Sequence, residues 1–277
     1  MGLKQKLSKL EKTGHLQLSN LALQLGLIEG HQEYKKFIIL GWARTGSNLL
    51  RGLLNSHRQV IAFNEIFRDY NSIDWGIPGY SVTSEPLLSL IQNDPIKFIE
   101  TKTFKLYPKQ ISAVGFKIFY YHARHEPWAP VWPYLQQKQD LSIIHLKRRN
   151  ILNTYLSEMR ARQTGQWVNT AGNAADQPPI ALDYHACLEK FVTVREEEKK
   201  HDLFFENSRK IEVFYEELAR NYVSESERIQ EFLGIDARVL TPSTYKQTKK
   251  PLSKAISNYF ELKEKFTRTE WAEFFED

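Results

Sequence analysis

The sequence predicts an α/β fold in three layers, a mainly parallel central sheet flanked by helices, and three observations point to it. Short apolar runs alternate along the chain with segments whose apolar residues recur at helical spacing. The runs are apolar throughout instead of on alternate residues, which is how strands buried on both faces read. The first run, Phe37 to Leu40, leads into a loop bounded by glycines and then at once into an amphipathic stretch. That succession places a ligand site at the carboxyl ends of the strands.

Residues 1–36 read as an N-terminal helical arm, with Leu3, Leu7, Leu10, Leu16 and Leu21 to Leu27 among Lys and Gln, closed by Gly30. Its polar face is mixed in charge, which favours an arm packed on the main domain over one lying on a membrane; weak peripheral association is the minor alternative. Residues 37–277 then form a single domain without internal repeats or a linker. Gly41 to Ser47 has the form G-x-x-x-x-G-S, the outline of a nucleotide-binding P-loop, and Leu49, Leu50, Leu53 and Leu54 share one face of the helix after it. The fold class is therefore P-loop NTPase-like. Val60 to Phe63 is the second strand and leads to Asn64 and Glu65. Asp69 to Pro86 reads as a loop, and Leu87 to Glu100 as one or two helical turns.

Ala113 to Tyr120 is the third strand, with Lys117 inside an apolar run. An unpaired buried ammonium is costly, so Lys117 either snorkels out or points into a polar site. His122 to Pro133 is too rich in proline for a regular element, and Trp128 and Trp132 read as core plugs. Leu141 to Leu146 is the fourth strand and runs straight into Lys147, Arg148 and Arg149. Asn150 caps a helix whose buried face is Ile151, Leu152, Tyr155, Leu156 and Met159, with Asn153, Ser157 and Arg160 opposite. Gln163 to Leu182 is a long polar loop carrying Trp167. Asp183 to His201 is helical, Ile211 to Tyr215 is the fifth strand, and a helix ends at Gly234. Tyr245 to Pro251 is a basic loop, and helical segments follow to Phe275.

The chain has 277 residues, 42% hydrophobic and 26% charged, enough for one large domain with its own core. No apolar run approaches the roughly 18 residues that span a bilayer, and there is no secretory signal pattern, so the expected location is the cytoplasm. The single Cys187 excludes an intrachain disulfide and reads as a packed helix residue. A net charge of +5 favours anionic partners. Lys and Arg alternate with Glu throughout, and zinc-finger and RNP-like patterns are missing, so nucleic acid is not expected. Oligomeric state is not readable.

In an ordinary P-loop enzyme a lysine reaches the transferred phosphoryl group and the next Ser or Thr binds magnesium. Here Ser47 and Asn48 hold those positions. Arg44, within the loop, is the remaining source of positive charge. The loop amides and the helix N-terminus still suit an anion, now without the usual metal machinery, and no metal ligands are expected.

Two separated motifs resemble the sulfotransferases that use 3′-phosphoadenosine 5′-phosphosulfate (PAPS), most closely the bacterial carbohydrate branch with its nodulation-factor and trehalose-modifying enzymes. Ala43 to Leu50, ARTGSNLL, is similar to that branch's 5′-phosphosulfate loop, with Thr45 in place of Ser and Asn48 in place of Thr. Arg148 to Ser157, RRNILNTYLS, is similar to the second motif, an Arg followed eight residues later by Ser, and Arg149 and Ser157 are the matching pair for the 3′-phosphate. ARQTGQW at Ala161 to Trp167, FYEEL at Phe214 to Leu218 and FLG at Phe232 to Gly234 extend the likeness over about Phe37 to Trp271. The resemblance implies Arg44, Thr45, Gly46, Ser47 and Asn48 around the donor, with 3′-phosphoadenosine 5′-phosphate (PAP) leaving. It implies Lys246 closing from the C-terminal side and Glu65 as general base toward the hydroxyl of a small acceptor, a carbohydrate or glycolipid. Trp167 and the segment near Trp128 are candidates to frame a sugar. Two alternatives remain open on the residues: a P-loop kinase-like enzyme, and a PAP- or glycan-binding module without catalysis.

Overall fold

The structure, a computed structural model, describes residue 14 and residues 17–77, 83–169, 177–244 and 250–276. Seven strands occur among them: β1 (Gly30–His31), β2 (Lys35–Gly41), β3 (Val60–Phe63), β4 (Tyr107–Pro108), β5 (Ala113–Phe119), β6 (Leu141–Lys147) and β7 (Arg209–Phe214). Five of them form one sheet in the order β3-β5-β2-β6-β7, parallel at every pairing. β1 and β4 make a separate two-residue antiparallel pair.

The sheet is buried on both faces except along its edge strand β7, where Arg209 and Glu212 are exposed, as the apolar runs of the inner strands require. Ile38, Leu40, Phe63, Phe116, Ile118 and Ile143 point into one core. Phe37, Ile39, Val60, Ala62, Ile144 and Leu146 point into the other. The second layer is covered by α1 (Ser47–Ser56) through Leu50, Leu53 and Leu54. A third apolar cluster lies outside the sheet, where Ile151, Leu152 and Leu156 meet Cys187, Phe191, Phe266 and Phe274.

β2 is the central strand, and the chain leaves it leftward to β3 and β5, then crosses to β6 and β7 on the other side. The connections after β2 and β6 thus diverge, and the crevice between their carboxyl ends is the topological switch point where such sheets hold ligands. Position 41, the last of β2, has room only for glycine, because a Cβ there would stand 2.5 Å from the carbonyl oxygen of Leu146.

The helices after the strands are α2 (Glu85–Asn93), α3 (Val131–Gln137), α4 (Ile151–Thr164), α5 (Tyr184–Phe204) and α6 (Tyr215–Arg220). All five expected sheet strands form, each within two residues of its expected ends. Other details differ. Tyr34 is buried in the main core and β2 begins at Lys35, so the chain joins the sheet domain before residue 37. α3 forms inside the proline-rich stretch because Pro133 falls in its first turn, where the missing N–H costs nothing. Arg160, expected on a polar face, is 4% exposed, since the 250–276 segment covers that side and Ala255 accepts its guanidinium hydrogen bond. No helix among the described residues is long and apolar enough to cross a membrane.

Candidate active site

The loop from Gly41 to Gly46 turns on two left-handed residues, Arg44 at φ 67° and Gly46 at φ 92°. Gly46 is required twice over: besides that φ, a Cβ there would stand 2.3 Å from the Tyr215 ring. Arg44 is not glycine, and a strained residue of this kind persists where the surrounding structure holds it, as at binding sites. The Thr45 hydroxyl donates to the carbonyl of Trp42 at 2.7 Å, so its side chain fastens the loop and does not line the crevice.

Arg44, Gly46, Ser47 and Asn48 line a pocket with Arg148, Ser157, Trp167 and Tyr215 across from them. The Arg44 Nε donates to Ser157 Oγ at 3.0 Å, and a second guanidinium nitrogen donates to the carbonyl of Trp167. The phosphate loop and α4 are thereby tied together.

Arg148 is 8% exposed, lies over the Tyr215 ring at 4.5 Å and donates to the carbonyl of Arg44 at 3.0 Å. Its Nε is buried and makes no hydrogen bond, with the Glu216 carboxylate 3.9 Å away. Burial lowers the pKa of both arginines, and Arg148 lowers that of Arg44 further. Two partly desolvated guanidinium groups beside one pocket suit an anion between them, and the Arg148 Nε that makes no hydrogen bond is a donor for it. The residues present therefore fit a phosphorylated nucleotide.

Arg149, the arginine expected at this place, is turned away. It pairs with Glu217, lies 4.1 Å over Phe214 and is half exposed. The turn between β6 and α4 sends adjacent residues to opposite sides, and the anionic side chains of α6 hold Arg149 on the outer one. Ser157 and Arg148, not Ser157 and Arg149, share the pocket. Lys246 lies outside the described residues.

Glu65 follows β3 and meets Lys117 on the neighbouring strand. Strand alternation puts Val114, Phe116 and Ile118 into one core and Lys117 on the α1 face, so the ammonium points at the phosphate loop. Lys117 Nζ lies 2.9 Å from Glu65 Oε1, 2.7 Å from Asn48 Oδ1 and 3.4 Å from Ser47 Oγ. Burial pushes the Glu65 carboxyl up, but the attraction and hydrogen bond of Lys117 outweigh it and bring it below its ordinary value. Burial pulls Lys117 down to about 8 against the pull of Glu65, with the neighbouring Arg51 adding to the fall. Glu65 is thus held as a carboxylate, chained through one lysine to the loop that would hold the donor. The sequence left Lys117 open between surface and site; the structure places it in the site.

Trp128 is packed in the core with its indole donating to the Ile91 carbonyl at 2.7 Å and does not line the loop's pocket. Trp167 is 48% exposed and lines the pocket over Arg44. Cys187 is buried, and burial pushes its thiol up to about 12, which suits a packing role. One trio among the described residues, His145, Asp202 and Glu212, has the spacing of metal ligands. The Lys147 ammonium already bridges both carboxylates there, so the cluster is an internal ion network.

A phosphate loop at the switch point, with arginines beside its pocket and a half-buried carboxylate joined to it, is the geometry of an α/β group-transfer site. The Stf0 sulphotransferase family model matches residues 139–260. Nodulation protein H of Rhizobium meliloti strain 1021 is 28% identical over 251 residues, covering 87% of this chain and 94% of that protein. Nodulation protein H of Rhizobium tropici is 25% identical over 244 residues, covering 87% and 92%. Among solved structures, a sulfotransferase from Alicyclobacillus acidocaldarius aligns with a TM-score of 0.47 at 14% identity, over 86% of this chain and 91% of that one. A mouse sulfotransferase complexed with PAP aligns at 0.41 and 17% identity, over 81% and 66%. The chain is thus similar to the Stf0 sulphotransferase family over residues 139–260 and to Nodulation protein H over 87% of its length.

Proposed function

We propose that this sulfotransferase moves a sulfuryl group from PAPS to a hydroxyl of a carbohydrate or glycolipid acceptor, with Glu65 as general base and Arg44 stabilising the departing phosphate. The observation that carries it is the Glu65–Lys117–Asn48 chain, which sets a carboxylate kept ionised beside the loop that would carry the reacting sulfur. The 5′-phosphosulfate lies against the amides of the loop and the N-terminus of α1, with Arg44 beside it. The second phosphate of the nucleotide sits toward Arg148 and Ser157, and Lys246 is retained as a further donor contact.

As the acceptor oxygen attacks sulfur, its proton passes to Glu65, the new O–S bond forms, and the bond from sulfur to the phosphate oxygen breaks. The charge that develops on that oxygen is met by Arg44 and the loop donors, and PAP leaves. Lys117 keeps Glu65 deprotonated until the acceptor arrives. No step calls on a metal. The carbohydrate class of the acceptor is supported by the likeness to Nodulation protein H, and the cytoplasmic location expected from the sequence goes with it.

Incubation with labelled PAPS and a metabolite extract, followed by mass spectrometry for an added sulfuryl group, tests the reaction. Glu65→Gln should lower turnover by orders of magnitude with PAP binding nearly intact. Unchanged turnover would remove Glu65 from the mechanism. A thermal-shift panel of PAP against ATP with and without magnesium separates the alternatives. Preference for ATP with magnesium would favour a kinase, and tight PAP binding without any sulfated product a binding module.

A further inference from the structure

We propose that Trp42 and Tyr121 form the platform on which the acceptor lies, and that the shape and polarity of this platform select a sugar ring. This rests on the sulfuryl-transfer reading above and names the part of the site that the donor motifs leave unassigned.

β2 and β5 are hydrogen-bonded neighbours, and each delivers an aromatic residue just past its carboxyl end. The backbone is locked across them, since Tyr120 N donates to the Gly41 carbonyl at 3.1 Å. The Trp42 and Tyr121 rings stand 5.0 Å apart at 71°. Tyr121 is 45% exposed, an aromatic face open at the end of the sheet where ligands bind. A single exposed aromatic needs no explanation, but this one is held in place. Ala123, two residues on, is the other non-glycine residue in the left-handed region besides Arg44 among the described residues. The turn it makes is pinned by His122, whose Nδ1 accepts from Phe119 N at 3.2 Å and whose carbonyl accepts from the Trp132 indole at 2.9 Å. Strain retained at Arg44 and Ala123 flanks the platform from both strands.

Polar groups stand at both ends of it. The Tyr121 hydroxyl is pushed up by burial and then by the Glu65 and Glu158 carboxylates, so it stays a donor with the candidate base in reach of its field. On the far side Lys190 lies 5.1 Å over the Trp42 ring and pairs with Glu158 at 2.9 Å. Trp42 is two residues before Arg44, which keeps the platform next to the donor loop. The open Tyr121 face, with the Trp42 ring standing against it at 71° and Lys190 capping Trp42 on its other side, complements a ring with a C–H face and hydroxyls around its edge. That is the chemistry of a pyranose, and it presents a hydroxyl toward Glu65.

The test is a sulfation assay with labelled PAPS and three probe acceptors: maltotetraose, chitotetraose and, as a hydroxyl without a sugar ring, 2-naphthol. Wild-type protein should label at least one oligosaccharide. Tyr121→Ala should raise the acceptor KM by roughly tenfold, the worth of one aromatic contact, with the PAPS KM unchanged. Tyr121→Phe should keep the acceptor KM near wild type, and Tyr121→Leu, which keeps bulk without the aromatic face, should behave like Ala. An unchanged acceptor KM in Ala and Leu variants that fold normally by thermal shift overturns the platform. Label on 2-naphthol and on neither sugar also overturns it, while sulfuryl transfer stands. No label on any probe, with PAP still bound, overturns both.

Discussion

Lys117 Nζ sits 2.9 Å from Glu65 Oε1, with the lysine side chain fully buried and the carboxylate 15% exposed. Each charge is tolerable there only because of the other. Replacing Lys117 by Met should therefore destabilise the fold by about 3 kcal/mol or more, because it leaves Glu65 uncompensated. Adding Glu65→Gln to Lys117→Met should return part of that loss. Urea unfolding of the two single variants and the double closes the cycle; strict additivity would deny the coupling.

The same pair predicts a pH profile. The Glu65 pKa is lower in the folded than in the unfolded chain, so its stabilisation is present above its ordinary value of 4.5 and is lost as pH falls through the folded pKa. Lys117 has the opposite history. Folding lowers it from 10.5 to about 8, so between those values the unfolded chain binds more protons and the contribution of Lys117 to stability rises with pH. Activity should therefore decline on the alkaline side with an apparent pKa near 8 while the fold holds. Parallel pH–rate and pH–unfolding curves check this; loss of rate and of fold together at pH 8 would contradict it.

Gly46→Ala should damage the loop by two separable routes. Its φ of 92° costs an alanine on the order of 1–3 kcal/mol, and the new Cβ also meets the Tyr215 ring at 2.3 Å. Adding Tyr215→Ala removes the second route only. The double variant should recover part of the thermal stability of Gly46→Ala but not all of it, as measured by calorimetry. Full recovery would mean that the left-handed backbone is not required.

How much of this was legible follows from which forces were local. The five sheet strands could be read because their runs stay largely apolar despite Lys117 in β5, His145 in β6 and Glu212 in β7, and the loop could be read because Gly41 and Gly46 bound it. Lys117 could not be assigned, since strand period gives a face but not what occupies it. That required α1 to bring Asn48 and Ser47 over the same side. The choice between Arg148 and Arg149 depended on one backbone turn and on Glu216 and Glu217, some 67 residues away in sequence. β1 and β4 are two residues each, too short for any period to register. Trp42 and Tyr121 were passed over for Trp128 because nothing local shows that two strand ends meet.

The two arginines give the sharpest test of the pocket. Arg148 is buried, faces Arg44 and Ser157, and keeps an Nε without a hydrogen bond. Arg149 is half exposed and engaged by Glu217. A charge-assisted contact to phosphate is worth about 1.5–3 kcal/mol, so Arg148→Gln should weaken PAP binding by roughly 10- to 100-fold. Arg149→Gln should weaken it by less than about threefold, the scale of an exposed ion pair. Titration calorimetry with PAP on both variants decides between them. The reverse order would mean that nucleotide binding breaks the Arg149–Glu217 pair and draws Arg149 into the pocket, at the position the sequence motif assigned to it.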